Sequence, residues 1–176
     1  MELRQRDGYF LLKSGNTRIG VFYSESPKVQ DEMEISVNYD NKGSYSIQTA
    51  GEYEVDDVFV MVFEKGGSRQ YVLNVAGVGI LLADPQATID EKDLEDIGSV
   101  DVLFLNGSVI WNNDLVKFIN RLDPQMLILQ RDIENGSSVA KLFGSEIRNV
   151  SKKLKVSFSD FESEEYKLEI IKIDEK

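Results

Sequence analysis

The chain has 176 residues, 41% of them apolar, and 31 acidic against 20 basic side chains give a formal net charge of −11. It contains neither cysteine nor histidine. Those two zeros exclude thiol nucleophiles, thiolate zinc sites, iron–sulfur clusters, disulfides, imidazole metal ligands and Ser-His-Asp triads, while the length suits one domain (1–176) whose core needs no disulfide or metal.

The first half reads as β structure. Tyr9–Lys13 and Arg18–Tyr23 are apolar runs joined by Ser14-Gly15-Asn16, a turn-forming connection that predicts a hairpin. Met33–Val37 alternates Met33, Ile35 and Val37 with Glu34 and Ser36, the period of a half-buried strand. A polar stretch, Asn38 to Ser44, follows. Further strands are predicted at Val58–Phe63, Gln70–Val75 and Val78–Leu82, broken by Gly66-Gly67 and Gly77. Gly77-Val78-Gly79 is a fragment of a glycine-rich phosphate loop without its downstream glycine and lysine, and a tight turn explains it equally well.

The second half changes period near residue 87, so two packed halves are expected, about 1–86 and 87–176. Thr88 and Glu91 are spaced as a capping box for a short acidic helix whose stripe is Ile89, Leu94 and Ile97. Val100–Leu105 is a compact strand. Asn113 caps a second helix to Leu122, with Leu115, Val116, Ile119 and Leu122 at helical spacing, and Asp123-Pro124 ends it. Met126–Leu129 is a buried strand. A third helix over about Ser138–Phe143 and strands near Leu154–Phe158 and Tyr166–Ile173 complete the order. Each helical stripe reads as core packing.

The acidic excess is spread along the chain and repels the backbone of duplex nucleic acid, so no nucleic-acid partner is expected. Arg148, Lys152, Lys153 and Lys155 are the local exception, read first as a solvated face and second as a phosphate site. Residues 1–7 hold no apolar signal region, and no apolar run approaches the ~18 residues that span a bilayer. The expectation is a cytoplasmic protein without a membrane partner. The sequons at Asn106, Asn135 and Asn149 therefore carry no weight.

Four segments in order resemble one family. These are Thr49-Ala50-Gly51-Glu52-Tyr53-Glu54-Val55, then Val75–Asp84 (VAGVGILLAD), Leu94–Leu103 (LEDIGSVDVL) and Leu122–Leu129 (LDPQMLIL). They are similar to the P-G-E-Y-E, H-L-G-D, E-x-I-G-x-V-D-V-L and E-P-x-x-V-I-P-M-H segments of metallo-β-lactamase-fold hydrolases of the ascorbate-6-phosphate-lactonase-like branch. The resemblance runs from about Met1 to Asp132. It implies an α+β fold, a four-layer αββα sandwich, here reduced and with a strand-rich N-terminal half.

The resemblance also implies a metal site, and places it on residues that do not bind zinc. The family's H-x-H-x-D-H loop falls on Tyr39, Asn41, Gly43 and Ser44, with its histidines at Tyr39, Asn41 and Ser44. The H-L-G-D histidine falls on Leu81, and the last histidine on Arg131. Only the bridging aspartate has a counterpart, Asp84. The spacing from this loop to Gly51 is also several residues shorter than the family's, so the helix carrying its last ligands reads as deleted. Leucine has no donor atom, and guanidinium stays protonated. Arg131 facing Asp84 would replace the metal with an ion pair.

Three functions follow. The first is a catalytically inactive, cofactor-free scaffold that engages a protein partner or itself. The second is a non-zinc hydrolase in which Asp40, Asp84 or Asp132 binds a hard cation or acts as a carboxylate base, Asp40, Asp84 and Arg131 forming the residual polar site. The third is a small-ligand or phosphate module using Arg131 or the basic run at 148–155, with Trp111, Tyr39, Tyr45 and Tyr53 as surface aromatics.

Overall fold

The computed structural model describes residues 1–6, 9–23, 33–37, 45–47, 49–65, 68–83, 90–105, 112–129, 141–163 and 167–174. Strands β1 (Glu2–Arg6), β2 (Tyr9–Ser14), β3 (Thr17–Tyr23), β4 (Met33–Val37) and β5 (Tyr45–Ile47) follow one another as an antiparallel meander. With the two-residue β13 (Leu154–Lys155) paired to β1, they make a six-stranded sheet, ordered β13-β1-β2-β3-β4-β5.

The second sheet has eight strands and two characters. Its antiparallel half is β6 (Gly51–Val55), β7 (Val58–Lys65), β8 (Ser68–Val75) and β9 (Val78–Ala83). Its parallel half continues from β9 through β10 (Val102–Leu105), β11 (Met126–Leu129), β14 (Glu169–Asp174) and β12 (Ile147–Ser151). Parallel strands covered on both faces need continuous apolar runs. VLFL and MLIL are such runs, and every residue of both is buried.

Alternation along the strands divides the core. Phe10, Leu12, Ile19 and Val21 of the first sheet meet Ile80, Leu82 and other residues of the second in one buried cluster. Phe10 and Phe104 cross the gap edge to face, with ring centroids 4.2 Å apart, a geometry that aromatic quadrupoles favour. The opposite face of the second sheet presents Leu81, Ala83, Leu103, Leu105 and Leu127 to a second cluster. Helices α1 (Glu91–Ile97) and α2 (Asn113–Leu122) close that cluster through Ile97, Leu115 and Ile119. The described residues thus form three layers: sheet, sheet and helices. No helix lies on the outer face of the first sheet among the described residues, so the outermost layer of the expected αββα sandwich is not among them.

Several element boundaries differ from expectation. The cap of α1 is Asp90, whose carboxylate accepts from the Asp93 N–H at 3.0 Å while Asp93 returns the bond to the Asp90 N–H. The sequence repeats the box pattern two residues on, and Asp serves as well as Thr at that position; Thr88 and Ile89 lie outside the described residues. Asn112, not Asn113, caps α2, accepting from the Leu115 N–H at 2.8 Å. The expected strand at Leu154–Phe158 ends at Lys155. A 3-10 turn over Phe158–Phe161 follows, its start fixed by the Ser157–Asp160 box. Strands β1, β5, β6 and β12 were not expected; they are polar or short, and pairing rather than periodicity makes them strands. Residues 141–143 are helical, and the rest of the expected third helix lies outside the described residues. No helix among the described residues is long and apolar enough to cross a membrane.

Candidate functional site

In sheets with parallel strands and helical crossovers, ligands collect at the carboxyl ends of the strands. Here Ala83, Leu105 and Leu129 stand side by side in register at that edge, and all three are buried and apolar. Asp84 is the next residue after Ala83, and Arg131 follows Leu129 by two. Two strand spacings, about 9–10 Å, separate the backbones of β9 and β11. Tyr39, Asp40, Asn41, Ser44, Asp84, Trp111, Arg131 and Asp132 themselves lie outside the described residues, as does the expected Asp84–Arg131 pair.

The strand before the supposed ligand loop leaves from the other end. β4 is antiparallel to β3, with Val37 opposite Ile19, so the chain exits β4 toward the β2–β3 turn. That turn sits against the start of β7: the Thr17 hydroxyl donates to the Asp56 carbonyl at 3.2 Å. A cleft of about 670 Å³ is bounded there by Ser14–Thr17, Asp56, Asp57, Val58 and Ala76. Val58, Val75 and Val78 are in register, which fixes this as the amino end of β9. The Phe10–Phe104 contact, near the start of β2 and the end of β10, gives the same alignment. β4 therefore ends at one end of the sandwich, and β9 and β11 end at the other. A shared metal site needs its donors within about 2–2.5 Å of one point.

Leu81 is fully described. It is 0% exposed, packed among the apolar side chains between the second sheet and the helices. It contributes packing and no donor. The whole chain holds no histidine or cysteine, and the described residues hold no group of three Asp or Glu side chains placed to take a metal. The residues present do not fit the zinc that the family's chemistry uses.

Among the described residues, a network of hydrogen bonds ties the amino ends of the parallel strands. The Asp101 carboxylate accepts from the Gly79 N–H at 2.7 Å, and the Asp101 N–H donates to the Gly79 carbonyl at 2.9 Å. The Asp101 carbonyl accepts from Gln125 and Met126 N–H groups at 3.1 and 3.0 Å, and the Gln125 carbonyl accepts from Glu169 N–H at 2.9 Å. Asp101 thereby aligns β9, β10 and β11. Gly79 is required there by a close approach: an added Cβ would stand 2.6 Å from the Ser99 carbonyl oxygen. Ala76 and Gly77, both with positive φ (52° and 81°), form the two-residue hairpin turn between β8 and β9. The Gly77-Val78-Gly79 sequence is thus a turn and a packing contact.

The basic run at 148–155 is dispersed. Arg148 pairs with Glu169 at 3.0 Å and Lys153 with Glu2 at 3.5 Å, while exposed Lys152 adopts a left-handed backbone (φ 68°). Glu2 also receives the Arg4 guanidinium, whose hydrogen bond holds the carboxyl below its ordinary value of 4.5. Lys155 and Arg148 instead border a cavity of about 430 Å³ with Lys167, Asp160 and Glu169. Sequence reading missed Lys167, which reaches this place only because β14 pairs with β12. Tyr53, a candidate surface aromatic, bonds through its hydroxyl with the Thr49 hydroxyl and carbonyl; the side chain of Tyr45 is not among those described.

Neither a protein-family model nor a curated protein matches the sequence. Among solved structures the fold is similar to that of a candidate Zn-dependent hydrolase of the metallo-β-lactamase superfamily from Thermotoga maritima. The TM-score is 0.56 at 18% identity, over 72% of this chain and 71% of that one. At that identity the likeness establishes a metallo-β-lactamase-like fold and leaves chemistry to the residues.

Proposed function

We propose that this protein is a metal-free, catalytically inactive form of the metallo-β-lactamase-like fold, of the ascorbate-6-phosphate-lactonase-like branch, that serves as a protein-interaction or structural module. One observation carries the reading: the position matching a histidine ligand is Leu81, wholly inside an apolar core, in a chain without any histidine or cysteine. The opposed exits of β4 and β9 weigh against the hard-cation alternative, because Asp40 and Asp84 follow strands that end at opposite ends of the sandwich. Support for an interaction role comes from β6 and β12, which end the second sheet and offer backbone edges that a partner strand can extend. The expected partner is another protein or a second copy of the chain.

The test is elemental analysis of purified protein together with thermal melting in chelator and in millimolar Mg²⁺. Substoichiometric zinc and manganese with an unchanged melting temperature in both conditions is the expected result. Stoichiometric zinc, or a chelator-sensitive melt, would overturn the reading; a Mg²⁺ shift abolished by Asp84→Ala would replace it with the cation-dependent hydrolase.

A further inference from the structure

We propose that the cavity at the amino ends of β11 and β14 binds a small organic anion, a phosphate monoester or carboxylate bearing a flat apolar group, between Lys155 and Lys167. Segments remote in sequence build it: the start of β11, strands β12 and β13, the 3-10 turn, and the approach to β14. Its floor is apolar and covered, with Met126, Leu154 and Phe161 at 7%, 3% and 9% exposure. The volume of about 430 Å³ lies within the roughly 300–1,000 Å³ of small-molecule sites.

Charge accounting at its rim gives the sign of the ligand. The Glu169 carboxylate is occupied by Arg148 at 3.0 Å. The Asp160 carboxylate accepts from the Ser157 N–H at 2.8 Å, closing its own turn, and keeps its charge, so the described rim sets three cations (Arg148, Lys155 and Lys167) against two carboxylates. Glu2, across the β1–β13 pair from Lys155, is held by Arg4 and Lys153. Lys155 and Lys167 have no carboxylate within ion-pair distance among the described residues. In a chain of net charge −11, a rim that is net positive among the described residues, beside an apolar floor, is suited to a ligand that brings the negative charge itself. The lining is more polar than apolar, so the charged head makes most of the contacts and the small apolar floor receives the flat group. This site lies at the opposite end of the second sheet from Ala83, the last residue of β9, and does not depend on the scaffold reading above.

The experiment is an amide NMR titration of the full chain with phenyl phosphate and, separately, benzoate, with inorganic phosphate and phenol as charge-only and apolar-only controls. Saturable shifts confined to Leu154, Phe161, Lys167 and their neighbours are expected, with phenyl phosphate or benzoate binding more tightly than either control. Whichever of the two binds tighter identifies the headgroup. The double variant Lys155→Gln/Lys167→Gln should weaken binding at least about tenfold without altering the melting temperature. Glu169→Gln, which releases Arg148, should tighten it. Shifts that do not saturate, that spread over Lys152 and Lys153, that phenol reproduces in full, or that survive the double variant would each overturn the proposal.

Discussion

Among the described residues, the two ends of the second sheet show different contacts. Its parallel strands finish in Ala83, Leu105 and Leu129, buried and apolar, and stay aligned through packing between the first sheet and the helices. They begin in polar ties, with Asp101 and Gln125 linking β9, β10, β11 and β14 by hydrogen bonds of 2.7–3.1 Å. In sheets of parallel strands with helical crossovers, ligands collect at the first end. In this chain the described polar organisation, and the cavity whose described rim is net positive, are at the second. A fold thus fixes where strands end, but which end carries polar function is decided side chain by side chain.

Substitutions separate the two modes, in decreasing order of effect. Leu81→His restores the family's residue, yet puts an imidazole into a closed apolar cluster. It should cost about 4 kcal/mol through lost packing and an unpaired polar group, read as a fall in urea midpoint, and confer no zinc uptake. Zinc uptake with preserved stability would show that the packed end retains a usable site. At the amino end, Gly79→Ala drives a methyl into the Ser99 carbonyl and should cost about 2 kcal/mol, measured the same way. Asp101→Ala removes the acceptor of the Gly79 N–H and should cost about 1–2 kcal/mol; amide hydrogen exchange should speed up first at Gly79.

The smallest effect is electrostatic. Hydrogen bonding by Arg4 lowers the Glu2 carboxyl below 4.5 in the folded chain. Its contribution to stability is therefore complete above that value and is lost as pH falls through the lower folded value. Glu2→Gln should be less stable than the wild type at about pH 7, and the gap should narrow toward about pH 3. Denaturation midpoints at both pH values check it. A gap that widens on acidification would reverse the sign.

Much of the fold was legible in particular residues. The β2–β3 hairpin follows from the apolar runs Tyr9–Lys13 and Arg18–Tyr23 and the turn residues Ser14-Gly15-Asn16; the buried strands β10 and β11 follow from VLFL and MLIL, and α2 from its stripe and Asp123-Pro124. The short or polar strands were not legible. Glu2–Arg6 alternates weakly and becomes a strand because β2 and β13 flank it. The candidate site was less legible still. The basic run at 148–155 looks continuous, but strand direction and the left-handed Lys152 send its members to different partners, and the matching cation, Lys167, is remote.

Composition alone settled the donor inventory, since no arrangement of backbone can create an imidazole or thiolate that is not encoded, and period alone settled which segments bury one face or two. Only the tertiary structure decided the direction of β4 against β3, the inward burial of Leu81 and the placing of Lys155 and Lys167 on one cavity. Those depend on pairing between residues far apart in the chain, where hydrogen-bond register and the packing of one sheet on the other outweigh any local preference.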